Sequence, residues 1–425
     1  MENMSLLITN VRMVDPASGR DETGSLYMEK GKFAPLPEKL PADCRVLEGE
    51  GLAALPGLVD MHVHLRDPGQ THKEDLHTGA RAAAAGGVTS LLAMPNTSPA
   101  VDNPQTLTDI LQRAEKEPVR IYQAGCITAG LKGETPADLP ALAAAGAAAF
   151  TDDGRPVCNS RYMLEALQTA HKLGRPVVSH CEDLYLAAGG IMTEGPVSAA
   201  LGVKGIPAAA EYVDVAQKIA LAAAADAPLH VCHVSTAGSL AAIRAAKRAG
   251  LNVTCETGPH YIWFTEEALE GRDADFRMNP PLGSRADRKA VIAALLDGTI
   301  DAIATDHAPH SPAEKADFAK APNGVIGMET SLSASYTALV ASGLLELSDL
   351  VRLMSLHPAR ILGIPAGTLA AGAPADVVLF DTAARWKVEP DKLHGKSRNT
   401  PFKGLELIGR VKTTICRGEI VYEDK

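Results

Sequence analysis

The chain is best interpreted from the segment Asp60-Met61-His62-Val63-His64-Leu65-Arg66, which follows an apolar run at 52–59 and leads into Asp67-Pro68-Gly69. This order is typical of a buried strand that gives way to a loop. Side chains alternate along a strand, so His62 and His64 point to the same side. Two imidazoles on one side can hold a metal ion, but a short His-x-His motif also occurs by chance among ordinary histidines.

From this segment to about residue 363, strand-like and helix-like stretches alternate. Eight strand-like runs occur, at 58–64, 88–94, 120–127, 147–151, 176–180, 229–234, 252–257 and 300–305. Helical stretches rich in Ala, Leu, Glu and Lys lie between them, at 76–85, 104–116, 161–173, 208–225, 239–249 and 285–296. This alternation predicts a (β/α)8 barrel. A doubly wound sheet would show a Gly-rich phosphate turn after its first strand, and none is present.

The two ends of the chain have a different pattern, in which short alternating strands are separated by Gly, Pro and charged turns. Neither end has enough strands to close a core alone, so we expect one small β-sandwich module built from both. The predicted organisation is an N-terminal part of this module at 1–55, the barrel at 56–363 and the C-terminal part of the module at 364–425.

Composition limits the partners and the compartment. The 425 residues are 46% hydrophobic and 22% charged, with a formal net charge of -10, which does not favour nucleic acid or an anionic membrane. No cationic, apolar signal segment and no run of about 18 apolar residues is present, so secretion and membrane spanning are not expected. The seven cysteines are odd in number and form no CxxC pair, which is typical of a reducing compartment, so we expect a cytoplasmic location.

Residues 311–328 interrupt the alternation of strands and helices. The segment is polar, contains Pro312 and Pro322, and directly follows the last barrel strand. A loop of this length in a compact barrel is usually a functional lid or is disordered, and we expect a lid.

Active sites of barrels are built at the C-terminal ends of the strands, so the residues at those ends are informative. Six nitrogen or oxygen ligands on five strands predict a metal site. The absence of thiolate favours Zn²⁺, Mn²⁺ or Co²⁺, and six ligands suit two metals better than one tetrahedral zinc with an open position. The candidate ligands are His62, His64, Asp152 or Asp153, His180, His233 and Asp306.

Seven motifs are spread over nearly the whole chain: Pro56-Gly57-Leu58-Val59-Asp60-Met61-His62-Val63-His64-Leu65-Arg66-Asp67-Pro68-Gly69, Met94-Pro95-Asn96-Thr97, Phe150-Thr151-Asp152-Asp153-Gly154, His233-Val234-Ser235-Thr236, Arg277-Met278-Asn279-Pro280-Pro281-Leu282, Thr305-Asp306-His307-Ala308-Pro309-His310 and Pro374-Ala375-Asp376. Together they resemble the amidohydrolase superfamily of metal-dependent barrels, and within it the longer, type I bacterial form of dihydroorotase. The resemblance implies reversible hydrolysis of the cyclic amide of (S)-dihydroorotate to N-carbamoyl-L-aspartate, in de novo pyrimidine (UMP) biosynthesis.

The resemblance also implies how the metal ligands are shared. His62, His64 and Asp306 would hold the first metal, and His180 and His233 the second, with one or two Zn²⁺ per subunit. Asp306 would in addition be the general base and acid, which takes the proton of a metal-bridging hydroxide and gives it to the leaving nitrogen.

A bridging ligand between the two metals is also implied. Many relatives carry a carbamylated lysine at the end of strand four, but here Thr151-Asp152-Asp153 contains no lysine and resembles the type I variant in which an aspartate bridges. We choose Asp153, because its spacing of 27 residues to His180 resembles that of the family's bridging position. Asp152 remains an alternative.

Substrate-binding residues follow from the resemblance as well. A guanidinium such as that of Arg66 suits a bidentate grip on a carboxylate, and the family uses this position with Asn96 and His310 for the dihydroorotate carboxylate. The family's lid motif would have Phe where this chain has Asn323, a departure that concerns the lid contact. Contacts to the substrate ring are implied for Asn279, Asn323 and Gly324.

Two alternatives are weighed against this interpretation. Another cyclic amidohydrolase, such as an allantoinase or hydantoinase, would usually carry the bridging lysine and lack the pair Arg66 and Asn96. A catalytically inactive, dihydroorotase-like partner of aspartate transcarbamoylase would have lost metal ligands, whereas all six are present here. The expected partners are a small-molecule substrate, a second copy in a homodimer, and aspartate transcarbamoylase.

Overall fold

A computed structural model describes residues 5–424. Its strands are β1 (Leu6–Asp15), β2 (Arg20–Glu29), β3 (Lys32–Ala34), β4 (Arg45–Glu48), β5 (Ala53–Pro56), β6 (Leu58–Val63), β7 (Val88–Ala93), β8 (Arg120–Gly125), β9 (Ala149–Phe150), β10 (Val177–Ser179), β11 (Met192–Thr193), β12 (Gly205–Ile206), β13 (Leu229–Val231), β14 (Val253–Thr257), β15 (Ala302–Ile303), β16 (Val377–Lys387), β17 (Glu406–Cys416) and β18 (Glu419–Glu423).

The α-helices are α1 (Leu76–Ala85), α2 (Pro104–Ala114), α3 (Leu139–Ala144), α4 (Ser160–Lys172), α5 (Leu184–Ala187), α6 (Pro196–Leu201), α7 (Ala209–Ala225), α8 (Ala237–Arg248), α9 (Pro259–Trp263), α10 (Arg285–Leu296), α11 (Pro312–Lys315), α12 (Ser331–Ser335), α13 (Leu347–Val351) and α14 (His357–Leu362). Single turns of 3₁₀ helix lie at Ala129–Leu131, Glu266–Leu269, Ala274–Phe276 and Pro390–Lys392, and π-helical turns at Tyr336–Val340 and Arg352–Leu356.

Eight parallel strands form the predicted barrel. Their order is β6-β7-β8-β9-β10-β13-β14-β15, which is the order of the chain. The barrel closes where Val63 bridges His307, next to a hydrogen bond of 2.8 Å from the backbone N–H of His64 to the carbonyl of His307. Apolar side chains from seven of the eight strands fill the interior: Val59, Met61, Leu92, Ala124, Ala149, Val178, Cys232 and Ala302, with Cys232 directly after β13. The (β/α)8 architecture is confirmed.

Strands from both ends of the chain form a second sheet. Its order is β18-β17-β16-β5-β1-β2-β3, with β4 paired to β1. The two halves share one apolar core, which includes Leu6, Ile8, Leu26, Met28, Val377, Leu379 and Ile415. The joint β module predicted from the two termini is confirmed as one continuous hydrogen-bonded sheet.

The segment 311–328 packs against the barrel. It begins with α11, and the side chains of Phe318, Ala321 and Val325 are buried. The carbonyl of Val325 accepts a hydrogen bond of 2.8 Å from the backbone N–H of Ala308, which lies at the end of the last barrel strand. The segment therefore borders the strand ends, and its role as a lid stays a prediction. Within residues 5–424, no helix combines the length and the apolar character needed to cross a membrane.

Candidate metal centre

The His-x-His pair lies where β6 ends. The pairing of β6 with β7 shifts register between Asp60 and Val63, and bulges of this kind re-aim side chains beside active sites. The carboxylate of Asp60 accepts hydrogen bonds from the backbone N–H (3.1 Å) and the hydroxyl (2.5 Å) of Thr305. Because Thr305 precedes Asp306, these bonds tie the first strand of the barrel to the last, and they hold His62 and Asp306 at the same edge.

Three residues at this edge have backbone conformations that L-amino acids rarely adopt. The φ angle is 60° at Arg66, 36° at His233 and 45° at Asp306. A positive φ at a residue other than glycine costs about 1–3 kcal/mol and persists only where the surroundings enforce it. All three side chains line the same cleft. Three of the positions with a positive φ therefore lie where the polar groups converge.

Asp153 lies at the centre of these groups. Its Oδ1 is 3.2 Å from Nε2 of His62, and its Oδ2 is 3.4 Å from Nε2 of His64. The same Oδ1 is 3.8 Å from Nε2 of His233 and 4.0 Å from Nδ1 of His180. These last two nitrogen atoms are only 2.9 Å apart. One carboxylate thus faces two pairs of imidazoles.

Asp306 completes the first pair. Its Oδ1 lies 3.1 Å from Nε2 of His64 and 3.6 Å from Nε2 of His62. The structure therefore brings together the six side chains expected to hold metal, and each of them is at most 6% exposed.

The nitrogen and oxygen atoms at this site are arranged for metal binding rather than for hydrogen bonds with one another. Within residues 5–424, neither Nε2 of His62 nor Oδ1 of Asp153 has a hydrogen-bond partner, although both are buried and 3.2 Å apart. Buried polar atoms are almost always satisfied, and a cation between these two would satisfy both. Two groups can each hold an ion and share Asp153: His62, His64 and Asp153, and Asp153, His180 and His233.

The carboxylates at the site are ionised at neutral pH. Burial raises the pKa of Asp153, but the neighbouring imidazoles of His62, His233 and His64 outweigh it and hold that pKa well below its usual value. Burial also raises the pKa of Asp306. The hydrogen bond with His64 and the neighbouring imidazoles outweigh this effect, so the pKa of Asp306 is lowered overall. Two negative charges in a buried cleft attract a divalent cation.

The neighbouring Asp152 points elsewhere. Its Oδ1 accepts the backbone N–H groups of Ile127 (2.8 Å) and Thr128 (3.0 Å), and its Oδ2 accepts the hydroxyl of Thr128. Burial raises its pKa to about 6, although these hydrogen bonds oppose the rise. Asp152 organises the loop after β8, and the geometry favours Asp153 as the bridge.

Two of the imidazoles are oriented by side chains behind them. Nδ1 of His64 lies 2.8 Å from Oδ1 of Asn96, a residue that was predicted to bind substrate and that also lines the cleft. Nε2 of His180 lies 3.5 Å from Oε2 of Glu182, and this oxygen also accepts a bond of 3.2 Å from Nδ2 of Asn279. Such partners fix the orientation of a metal-binding imidazole. Asn96 and Asn279 therefore connect the metal ligands with the wall of the cleft.

Arg66 forms one side of a cleft of about 170 Å³. Its side chain is buried, its Nε donates to the carbonyl of Pro309 (3.3 Å), and Nη2 lies 3.4 Å from Nε2 of His310. No carboxylate within residues 5–424 forms an ion pair with it. Burial lowers the pKa of Arg66 to about 10, so the guanidinium stays charged at neutral pH. Burial and the positive charge of Arg66 lower the pKa of His310 to about 3, which keeps that imidazole neutral.

Residues Asn323 and Gly324 form another part of the cleft wall. Nε2 of His310 lies 2.9 Å from the carbonyl of Asn323, and Oδ1 of Asn323 is buried without a hydrogen-bond partner in the described part of the chain. Gly324 has a φ of 137°, and a Cβ placed there would lie 2.8 Å from the carbonyl oxygen of Ala308. Only glycine fits this close approach. All twelve predicted site residues therefore border this cleft or its floor.

Four functional neighbours were missed by the sequence analysis: Lys315, Asn399, Glu256 and His230. Nζ of Lys315 donates to three carbonyls, those of Arg277 (3.2 Å), Pro322 (3.1 Å) and Gly324 (3.0 Å). Asn399 donates to the carbonyls of Ala308 and Gly324. Of these four residues, only His230 and Glu256 could have been noticed in the sequence. Each is an ionisable residue within an apolar strand, and such residues are rare in buried strands.

Comparison with known proteins agrees with this geometry. The amidohydrolase family profile matches residues 53–421. A dihydroorotase of Citrifermentans bemidjiense is 50% identical over 99% of this chain and 100% of its own length. A dihydroorotase of Pelotomaculum thermopropionicum is 47% identical over 99% of this chain and 99% of its own length.

Solved structures of related enzymes have the same fold. The L-hydantoinase of Arthrobacter aurescens superposes with a TM-score of 0.89 at 26% identity, over 98% of this chain and 96% of its own. The dihydropyrimidinase of Brevibacillus agri superposes with a TM-score of 0.86 at 27% identity, over 99% of this chain and 96% of its own. Because the family profile covers most of the chain and dihydroorotases match it over their full length, the chain belongs to the amidohydrolase family, within its dihydroorotase branch.

Proposed function

We propose that this chain catalyses the reversible hydrolysis of (S)-dihydroorotate to N-carbamoyl-L-aspartate, the ring-opening and ring-closing reaction of pyrimidine biosynthesis. The observation that carries the proposal is Arg66, a buried guanidinium that lines the cleft beside the metal ligands and has no carboxylate partner among residues 5–424. A buried charge is costly unless it is paired. A substrate carboxylate would supply the missing partner, and dihydroorotate carries one.

The metal site is assigned to the six clustered side chains. His62, His64 and Asp306 would hold one Zn²⁺, His180 and His233 the other, and Asp153 would contact both. When bound, the ions would supply an activated water nucleophile and polarise the amide carbonyl. Asn96 and Glu182 would keep the imidazoles of His64 and His180 oriented toward these ions.

Asp306 is assigned the proton transfers. In the hydrolytic direction its carboxylate takes a proton from the attacking water and delivers it to the ring nitrogen as the carbon–nitrogen bond of the amide breaks. In the reverse direction it takes a proton from the terminal carbamoyl nitrogen of N-carbamoyl-L-aspartate as the ring closes, and it returns this proton to the departing hydroxyl, which leaves as water. Its position 3.1 Å from Nε2 of His64, in the wall of the cleft, supports this role.

Purified, zinc-loaded protein tests the proposal in both directions. We expect loss of dihydroorotate absorbance in the hydrolytic direction and its recovery when N-carbamoyl-L-aspartate is supplied. Hydantoin and allantoin serve as controls that lack the carboxylate of dihydroorotate. Opening of hydantoin or allantoin without turnover of dihydroorotate would contradict the proposal and favour the hydantoinase-like alternative, which the structural relatives suggest. A metal-loaded protein inactive on all three would favour the non-catalytic alternative.

Replacement of Arg66 by glutamine (R66Q) is expected to raise the KM for dihydroorotate by roughly 30-fold or more, because removal of one partner from a buried charge pair costs about 2–5 kcal/mol. Metal content should stay that of the parent protein, since Arg66 contacts Pro309 and His310 rather than a metal ligand. Steady-state kinetics and elemental analysis measure the two effects.

The lysine variant R66K is the matched control for charge. It keeps the positive charge but loses the planar fork, so we expect a KM between those of the parent and R66Q. Loss of bound metal in R66Q, with KM unchanged in the reloaded protein, would show that Arg66 is structural.

We further infer a cytoplasmic homodimer that can associate with aspartate transcarbamoylase. The odd number and scattered positions of the free cysteines support the compartment. We retain the division into a β module at 1–55 and 364–425 and a catalytic barrel at 56–363. The sheet formed by β1–β5 and β16–β18 supports that division.

A further inference from the structure

Two ionisable side chains lie inside the barrel, beneath the metal centre. Glu256 on β14 and His230 on β13 are each 1% exposed, whereas barrel interiors are normally filled by branched apolar side chains. A carboxylate in such surroundings is costly unless it is paired and hydrogen-bonded. We therefore expect the buried carboxylate of Glu256 to be stabilised by contacts with neighbouring polar groups.

The compensating contacts form a short column. Oε1 of Glu256 is 3.1 Å from Nδ1 of His62, and Oε2 is 3.3 Å from Nε2 of His230. On its other side, Nδ1 of His230 lies 2.8 Å from the hydroxyl of Thr254. The column therefore runs from Thr254 through His230 and Glu256 to His62, whose opposite nitrogen faces Asp153.

The column determines which nitrogen of His62 is free. A carboxylate can only accept, so Nδ1 of His62 carries the hydrogen in this contact, and Nε2 is the nitrogen that remains for a metal ion. This Nε2 is the atom that lies 3.2 Å from Asp153 and has no hydrogen-bond partner within residues 5–424. The orientation of the ring therefore presents Nε2 of His62 to the metal site.

The other candidate ligands lack an equivalent partner in the described part of the chain. His64 faces the neutral amide of Asn96, His180 faces Glu182 at the edge of the cleft, and Nδ1 of His233 has no hydrogen-bond partner. His62 is the imidazole with a fully buried carboxylate behind it.

We propose that Glu256 is a positioning residue, held by His230, that fixes the ring and tautomer of His62 for metal binding. The inference rests on the metal site of the proposed function. It concerns metal affinity, so it can fail or succeed independently of the substrate.

Two substitutions of Glu256 are expected to lower zinc affinity to different extents. The glutamine variant E256Q retains an acceptor for His62 but loses the charge, and we expect zinc affinity to fall about 10-fold. The methionine variant E256M removes the acceptor, and we expect a fall of about 100-fold. Zinc affinity is measured by competition with a chromophoric chelator, on protein first stripped of metal.

Thermal unfolding separates positioning from a structural role. Methionine leaves the buried imidazoles of His62 and His230 without their acceptor, so metal-free E256M should melt below the metal-free parent. The rise in melting temperature on zinc addition should shrink, because weaker binding stabilises less at the same zinc concentration. The matched control is D15N, at a buried carboxylate in the β module that accepts bonds from Thr368 and Leu369. D15N should melt lower than the parent by the same amount with and without zinc.

Zinc affinities of E256Q and E256M within twofold of the parent would overturn the inference. Should E256M fail to fold, E256Q alone decides the question through the same chelator competition. A parent chain that bound no zinc would overturn the metal site together with this inference. A parent that bound zinc normally but left dihydroorotate unchanged would overturn the proposed substrate only.

Discussion

Replacement of Asp306 by asparagine (D306N) is expected to lower kcat for dihydroorotate hydrolysis by about 10³-fold in zinc-saturated assays, since positioned acid–base groups contribute roughly 10²–10⁴-fold. Asparagine keeps the size and one oxygen of aspartate but cannot accept and return a proton at neutral pH. The KM should change little, because the substrate carboxylate is assigned to Arg66 rather than to Asp306. Steady-state kinetics in both directions measure the effect.

Metal content must be measured on the same preparation, because Asp306 is itself assigned as a metal ligand and lies 3.1 Å from Nε2 of His64. The amide oxygen of asparagine and three further ligands remain, so we expect full loading at saturating zinc. D376N provides the control, since Asp376 is a buried carboxylate far from the cleft that accepts the backbone N–H of Arg417. Its kcat should stay within about twofold of the parent. A fully loaded D306N protein that retained a tenth or more of the parent rate would refute Asp306 as the general base.

The elements that the sequence predicted well are those with local signals. Helix α1 begins directly after Asp75, whose side chain accepts the backbone N–H of Thr78, and α10 begins directly after Ser284. Caps of this kind depend on residues three apart, so the bounds 76–85 and 285–296 agree with the structure. The strand predicted at 300–305 is shorter, because only Ala302–Ile303 stays paired before the chain turns at Asp306 with a positive φ. That turn depends on the tertiary tie to Asp60.

In the candidate site, too, some residues could be predicted from local sequence patterns and others depend on tertiary contacts. The position of His62 and His64 follows from strand alternation, and the position of Asp153 was inferred from a spacing along the chain. Glu256 contacts His62 across 194 residues of sequence, and no local pattern encodes that pairing. Lys315 likewise acts through three backbone carbonyls, and backbone acceptors leave no trace in the residue types. The candidate ligands could therefore be predicted from the sequence. The groups that orient them could be identified only from the three-dimensional structure of the barrel.

Replacement of Asp153 by asparagine (D153N) is expected to lower both metal content and activity by orders of magnitude, more than any other single substitution considered. Asp153 is the side chain that faces both imidazole pairs, with its Oδ1 at 3.2 Å from His62 and 3.8 Å from His233. Loss of its negative charge removes the attraction that a divalent cation needs in a buried cleft. Elemental analysis after dialysis gives the metal content, and the dihydroorotate assay gives the activity.

The adjacent aspartate supplies a matched control, because D152N removes the same charge one residue away. Asp152 accepts the backbone N–H groups of Ile127 and Thr128, so its replacement should destabilise the fold by about 1–3 kcal/mol, the cost of leaving buried donors poorly paired. Folded D152N should keep the metal content of the parent, because this carboxylate turns away from the imidazoles. The opposite result, with metal lost in D152N and retained in D153N, would make Asp152 the bridge. Equal metal loss in both variants would show that the loop they share, rather than one carboxylate, holds the two ions together.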